Sequence, residues 1–334
     1  MTPRERVRTV LEFSEADIVP YNVWLTISAR EKLAAYYGDA DVEKRLGNHI
    51  AMVGAERPMR EIRPGFFRDE FGVVWDRTVD KDIGTPDGAI LPEPSIRGYR
   101  FPDPDDPERY EELRRMVETD KDKYLIFGVS FSLFERVWTM RGMADLLTDM
   151  IENPQFVDDL LDAITEYNLS LISHALEFPI DAVMFGDDWG SQRGLLTGIV
   201  HWRRFIKPRL QRMYGCVKDA GRRVFIHSCG RVQELFDDLI EIGLDCFNPF
   251  QPEVMDVFEM KRRYQGRLSF YGGISVQKVL PFGTPDEVRS TVQRLLREVG
   301  KGGGYIACPS HSVPKDVPVE NIVAMLEVLQ QQGR

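Results

Sequence analysis

An α/β fold of the (β/α)8 TIM-barrel type, opening with a helical and β-ribbon elaboration, is predicted as one domain over residues 1–334. Three observations predict it. From residue 107 onward, short apolar runs alternate with longer stretches of helical period. The runs are apolar almost throughout, as strands covered on both faces of a parallel sheet must be. Several of them finish in polar or glycine residues: Asp187 and Asp188, His227 and Cys229, Asn248 and Pro249, Gly272 and Gly273, Cys308 and His311. A closed barrel equips the carboxyl ends of many strands, whereas an open doubly wound sheet uses only those beside a switch point.

In chain order, Thr2, Pro3 and Glu5 form a capping box with proline at the first helical position. The helix they open stops before Val19 and Pro20, and "YNVWL" (21–25) is the first strand. Residues 28–65 read as helices with breaks, and "DEFGVVWDRTVD" (69–80) alternates as an antiparallel ribbon does. Residues 83–106 are rich in proline, glycine and aspartate, which makes them an extended surface loop. The later strands are "YLIFGVS" (124–130), "DAVMFGDD" (181–188), "RVFIHSC" (223–229), "LDCFNPF" (244–250), "LSFYGG" (268–273) and "GYIACPS" (304–310). Between them run helices such as 199–220, closed by Gly221, 231–242, and 285–299, opened by Thr284, Pro285 and Glu287. "GKGGG" (300–304) precedes its strand, so it stops a helix and does not cradle phosphate.

Composition narrows the function classes. With 43% hydrophobic and 29% charged residues, the chain can bury a sizeable core. A net charge of −10 argues against a nucleic-acid-binding surface. No apolar run approaches the roughly 20 residues that cross a bilayer, so no membrane span is expected. Four cysteines and a charged start, "MTPRERVRTV", lead to the expectation of a cytoplasmic protein without disulfides.

The chemistry gathers at the strand ends. His227 and Cys229 stand two apart, so both project to one face of their strand, and imidazole with thiolate suits Zn2+. The spacing alone fits a buried histidine and a free thiol even more readily. A third soft ligand on another strand end changes the balance, and Cys308 and His311 both qualify. Asp187 and Asp188 are paired carboxylates that can bind a metal, act as acid or base, hold a cation, or cap a helix. Trp189 is a candidate pocket floor, and Asn248 and Tyr271 are candidates to line the pocket. Cys216 and Cys246 read as core thiols.

"TPRERV" at the start, "FGDDWGSQRGLL" (185–196), "WRRFIKPRLQRMYGCVKDAG" (202–221), "VFIHSCG" (224–230), "YGGISVQ" (271–277) and "PSHSVPKDVPVENIVAM" (309–325) give the chain a likeness. It resembles the uroporphyrinogen decarboxylase superfamily over nearly its whole length. The resemblance implies a (β/α)8 barrel and one of two activities, decarboxylation or zinc-dependent, corrinoid-linked methyl transfer. True decarboxylases carry an arginine-rich motif after the first strand that grips the carboxylates of a tetrapyrrole. Here that region reads "VWLTISAREKLAAYYG", with only Arg30 in place. The methyltransferases carry His-x-Cys and a later Cys as zinc ligands, and "HSC" at 227–229 resembles the first half of that set. Anchored on Pro318, Glu320 and Asn321, the late Cys position falls on His311, with Cys308 three residues earlier. His311 also matches a histidine of the true decarboxylases.

The resemblance therefore implies a methyltransferase using Zn2+ and a corrinoid (cobalamin). No Asp-x-His-x-x-Gly stretch is present, so the corrinoid is expected on a partner protein. The substrate is expected to be a small-molecule methyl donor or a thiol acceptor. Asp187, Asp188 and His311 are the expected catalytic residues, and Trp189, Asn248, Tyr271 and Arg30 the expected substrate contacts. The expected metal ligands are His227, Cys229 and either His311 or Cys308. Two other expectations compete: a metal-free decarboxylase with an essential Asp188, and a non-catalytic corrinoid- or tetrapyrrole-binding barrel.

Overall fold

The computed structural model describes residues 1–333. Seven parallel strands form one curled sheet: β1 (Ile50–Gly54), β6 (Tyr124–Val129), β7 (Ala182–Gly186), β8 (Arg223–His227), β9 (Cys246–Phe250), β10 (Ser269–Ile274) and β11 (Tyr305–Pro309). They neighbour one another in that order, with helices between them. The intervening β2 (Arg60–Arg63), β3 (Phe66–Arg68), β4 (Val74–Asp76) and β5 (Thr85–Pro86) make a separate antiparallel sheet.

Residues 20–22 close the ring as an eighth stave. The Ala307 N–H donates to the Pro20 carbonyl at 2.9 Å, and the Asn22 N–H to the Ala307 carbonyl at 3.0 Å. On the other side, the His49 N–H donates to the Tyr21 carbonyl at 3.1 Å, and the Tyr21 N–H to His49 Nδ1 at 3.0 Å. Proline at position 20 supplies no backbone donor, so this stave is held by few bonds and a side chain. The predicted strand at 21–25 thus occupies its place in the barrel as two isolated bridges, Tyr21 to Ala307 and Leu25 to Val313.

Alternation fills the interior. Tyr124, Ile126, Ala182, Met184, Phe225, Cys246, Tyr271, Ile306 and Cys308 pack together inside the ring. Helix Pro3–Leu11, opened by the predicted capping box, closes the amino end of the barrel with Val7, Val10 and Leu11. Arg4 and Arg8 fasten it to the buried Asp181, at 2.9 and 2.6 Å, and Asp181 also accepts the Leu125 N–H at 2.8 Å. An Asp181→Ala variant leaves a buried amide and two cations unpaired. It is expected to lose about 2–3 kcal/mol in urea unfolding.

Three elements differ from their sequence-based expectation. Residues 28–65 hold the helices Ile27–Tyr37 and Glu43–Leu46, but the segment also contains β1 and β2. The ribbon extends over four strands, and Asp69 anchors it from the side. Its carboxylate takes the Val73 N–H, the Trp75 indole N–H and the Arg136 guanidinium, the last at 2.6 Å. The helix expected at 231–242 is a 3-10 turn, Gln233–Leu235, followed by a short helix, Phe236–Glu241. Among the described residues no helix is long and apolar enough to cross a membrane.

Candidate metal centre

The period-two pattern of β8 sends Phe225 and His227 inward, Phe225 into the packed interior and His227 at the carboxyl end above it. The chain then leaves the strand through Ser228 and Cys229. Gly230 adopts φ +89°, and a Cβ there would overlap the Gly190 backbone. Glycine at 230 thus lets two loops cross and turns Cys229 back over the barrel mouth. From β11, the chain passes Ser310 and brings in His311. Nitrogen atoms of His227 and His311 and the sulfur of Cys229 all lie within 4.8 Å of one another.

Neighbours fix the His227 ring. Asn248, paired with His227 across β8 and β9, donates from Nδ2 to the Tyr271 carbonyl at 2.9 Å. Its Oδ1 therefore faces His227 Nδ1, 2.5 Å away, which makes Nδ1 the protonated nitrogen and leaves the Nε2 lone pair free. Nε2 stands 3.4 Å from Cys229 Sγ. Zinc bonds of about 2.0–2.3 Å at tetrahedral angles separate ligand atoms by roughly 3.3–3.6 Å, so the donor pair fits such an ion. Burial, reinforced by His227, lowers the pKa of His311 and favours the neutral imidazole that a metal requires. Burial, with the charges of Asp188 and Glu135, holds the Cys229 thiol well above its ordinary value.

A cavity of about 690 Å3 opens beside His227 and His311. Its walls include five aromatic rings: Trp24 just past the eighth stave, Trp75 from the ribbon, Phe131 and Trp138 after β6, and Phe185 from β7. The amino-terminal elaboration therefore builds one side of the site. The carboxyl groups facing the cavity are Asp188, Glu135 and Glu43; the guanidinium is Arg30, which is ion-paired with Glu43. Asp188 accepts the Cys229 N–H at 2.7 Å and lies 4.0 Å from His227 Nε2. Burial, then the charges of Asp188 and Asp187, raise Glu135 well above the usual carboxylate range. Glu135 escaped the sequence reading. The available signal was its place at the start of the helix that follows a strand end.

Other expected site residues sit elsewhere. Cys308 is fully buried in the barrel interior against Tyr271, since it continues the inward face of β11 below the mouth. It does not join the cluster. Asp187, also fully buried, accepts the N–H groups of Leu133, Phe134 and Glu135 and the Trp189 indole N–H. Trp189 packs edge-on against Trp202 and does not floor the cavity. Tyr271 lies in the packed interior against Trp24, and Asn248 is spent on His227 and the Tyr271 carbonyl, so neither lines the cavity. Asp188, His311 and Arg30 do.

Among solved structures, a methyltransferase from Methanosarcina mazei shares the fold with a TM-score of 0.74, covering 99% of each chain at 16% identity. Curated relatives include the uroporphyrinogen decarboxylases of Methylococcus capsulatus, 22% identical over 217 residues, and of Thermus thermophilus, 26% identical over 178. These alignments take in 62% and 52% of this chain, and 55% and 48% of the relatives. The chain thus spans about half the length of those curated relatives. The match to the uroporphyrinogen decarboxylase (URO-D) family extends over residues 87–332 and contains His227, Cys229 and His311. With this match and the barrel in agreement, the chain belongs to the uroporphyrinogen decarboxylase family.

Proposed function

We propose that this protein is a zinc-dependent methyltransferase that exchanges a methyl group between a small molecule and a corrinoid carried by a partner protein. The convergence of His227, Cys229 and His311 at the barrel mouth carries the reading. Zinc bound there would supply Lewis-acid charge, holding a thiol acceptor as its thiolate or polarising the heteroatom of a methylated donor. Asn248 presents His227 Nε2 to the ion, and Asp188 pins the Cys229 backbone. The aromatic walls exclude water from the bound methyl group. Glu135, whose affinity for its proton is raised by burial and the neighbouring carboxylates, can return a proton to a heteroatom released in the same cavity.

Electrostatics weigh against a tetrapyrrole polycarboxylate. Arg30 is neutralised by Glu43, and Asp188 adds a further carboxylate. Bringing several more carboxylates there would leave them without cationic partners, a costly arrangement.

The test uses purified zinc-loaded protein and free cobalamins. Methylcob(III)alamin with a panel of small thiols, and cob(I)alamin with small methylated donors, should show methyl exchange in the visible spectrum. Exchange should disappear on chelation and return with zinc. Decarboxylation of uroporphyrinogen by chelated protein, without methyl exchange, would overturn the reading.

A further inference from the structure

A second cavity, of about 680 Å3, meets the metal cluster from another side. It is lined by Cys229 and His311, whereas the aromatic cavity is lined by His227 and His311. The two differ in chemistry. Gln192, Gln251 and Gln277 line the second one, with Ser310 below and Phe282 at the rim. Among the described residues no lysine or arginine lines it, and its one carboxylate is Asp316. Ser310 is 1% exposed, and its hydroxyl has no hydrogen-bond partner among the described residues. Phe282 is 80% exposed, an unusual state for a large aromatic residue beside a polar cavity.

Methyl exchange between two bulky molecules constrains the approach. The breaking bond keeps its electron pair on the departing atom, and the acceptor supplies the pair for the new bond. The acceptor must therefore arrive opposite the leaving atom, and two cavities that both reach His311 can hold the two partners in such a line. Resting on the proposed function, we infer that the aromatic cavity holds the small methyl donor or acceptor and that the glutamine-lined cavity receives the corrinoid. A corrinoid is a cobalt-holding macrocycle edged with uncharged carboxamide arms. Side-chain amides and an orphan hydroxyl match such arms, since each amide both donates and accepts. Phe282 offers apolar contact to the macrocycle. A carboxylate-edged tetrapyrrole finds no cation in this cavity.

The probe is methylcob(III)alamin itself, titrated into the zinc-loaded full chain and followed by equilibrium dialysis. Gln277 and Phe282 are both exposed, so replacing them leaves the core intact. The Gln277→Ala/Phe282→Ala double variant should keep its zinc and bind the probe about tenfold or more weakly. Trp138→Ala, in the aromatic cavity, should leave probe affinity within about twofold, a change worth under half a kcal/mol. The opposite ranking, or no saturable binding by the wild-type chain, overturns the inference. The proposed function fails separately, if the probe binds here and no methyl exchange occurs. Exchange that ignores the double variant removes the inference and leaves the function standing.

Discussion

Cys229→Ser is expected to abolish zinc retention, from near one ion per chain to near none after dialysis against a weak chelator. A structural zinc site is worth roughly 10–16 kcal/mol, and an even share among three ligands is about 3–5 kcal/mol each. That share corresponds to about two to four orders of magnitude in affinity, at about 1.4 kcal/mol per decade. Serine keeps the volume but offers a hard, protonated oxygen where a soft thiolate is needed. His227→Ala and His311→Ala should behave alike, because both imidazoles belong to the same cluster. Cys308→Ala is the discriminating control. Its sulfur lies inside the barrel, so the variant should lose some stability and keep its zinc. Zinc lost with Cys308 and retained without His311 would invert the ligand assignment.

The same site has a pH signature with a definite sign. Burial and neighbouring carboxylates raise the Cys229 thiol, and zinc binds the thiolate, so binding releases a proton. His311 is shifted downward by burial and by His227, which favours its neutral form. Apparent zinc affinity should therefore climb with pH by about tenfold per unit through neutrality, as expected for loss of one proton. A flat profile from pH 6 to 8 would mean that Cys229 is not a ligand.

Much of this was legible in the sequence, for reasons that also mark where it stopped being so. The strands from β6 to β11 announce themselves as apolar runs because both faces of each are covered. β1 does not, since Ala51 and Val53 are only partly buried, Met52 is exposed, and the strand is only five residues long. The inward aim of His227 follows from period two along β8. The choice between His311 and Cys308 does not follow from periodicity. It depends on how far along the barrel axis each residue sits, which the register between β10 and β11 sets: Cys308 pairs with Gly273 inside the strand, and His311 lies beyond its end. Trp75 reaches the cavity only because the Asp69–Arg136 pair docks the ribbon beside it, a contact between residues 67 positions apart. Glu135 was invisible for a similar reason: the group that fixes the start of its helix comes from another strand.

That group is Asp187, and Asp187→Ala is expected to cost about 3–5 kcal/mol in unfolding free energy at pH 7. Helix Phe134–Arg141 has no side-chain cap at its own amino end. Its first amides are satisfied from β7 instead: the N–H groups of Leu133, Phe134 and Glu135 donate to Asp187 at 3.3, 3.1 and 2.7 Å, and the Trp189 indole N–H donates at 2.6 Å. Alanine would strand four buried donors and remove the charge that complements the helix dipole. Asparagine should recover about half, since its one oxygen still accepts while its NH2 meets donors. Burial raises the Asp187 carboxyl to about 6, although the donors pull the other way. A carboxyl raised on folding binds its proton more tightly in the native state, so its stabilisation is full below the unfolded value near 4 and is lost as pH rises through about 6. The gap between wild type and Asp187→Ala should therefore widen on acidification from pH 7 to 4, by up to about 3 kcal/mol. Urea unfolding at the two pH values checks the sign, and a gap that narrows toward pH 4 would make Asp187 an ordinary ionised cap. In either variant the metal ligands remain, so zinc should stay bound in the cold while Glu135 loses its fixed place at the cavity wall. Methyl exchange lost with zinc still bound would assign the proton-handling role to Glu135, while exchange that tracks only the folded fraction would leave Asp187 and Glu135 as structural groups.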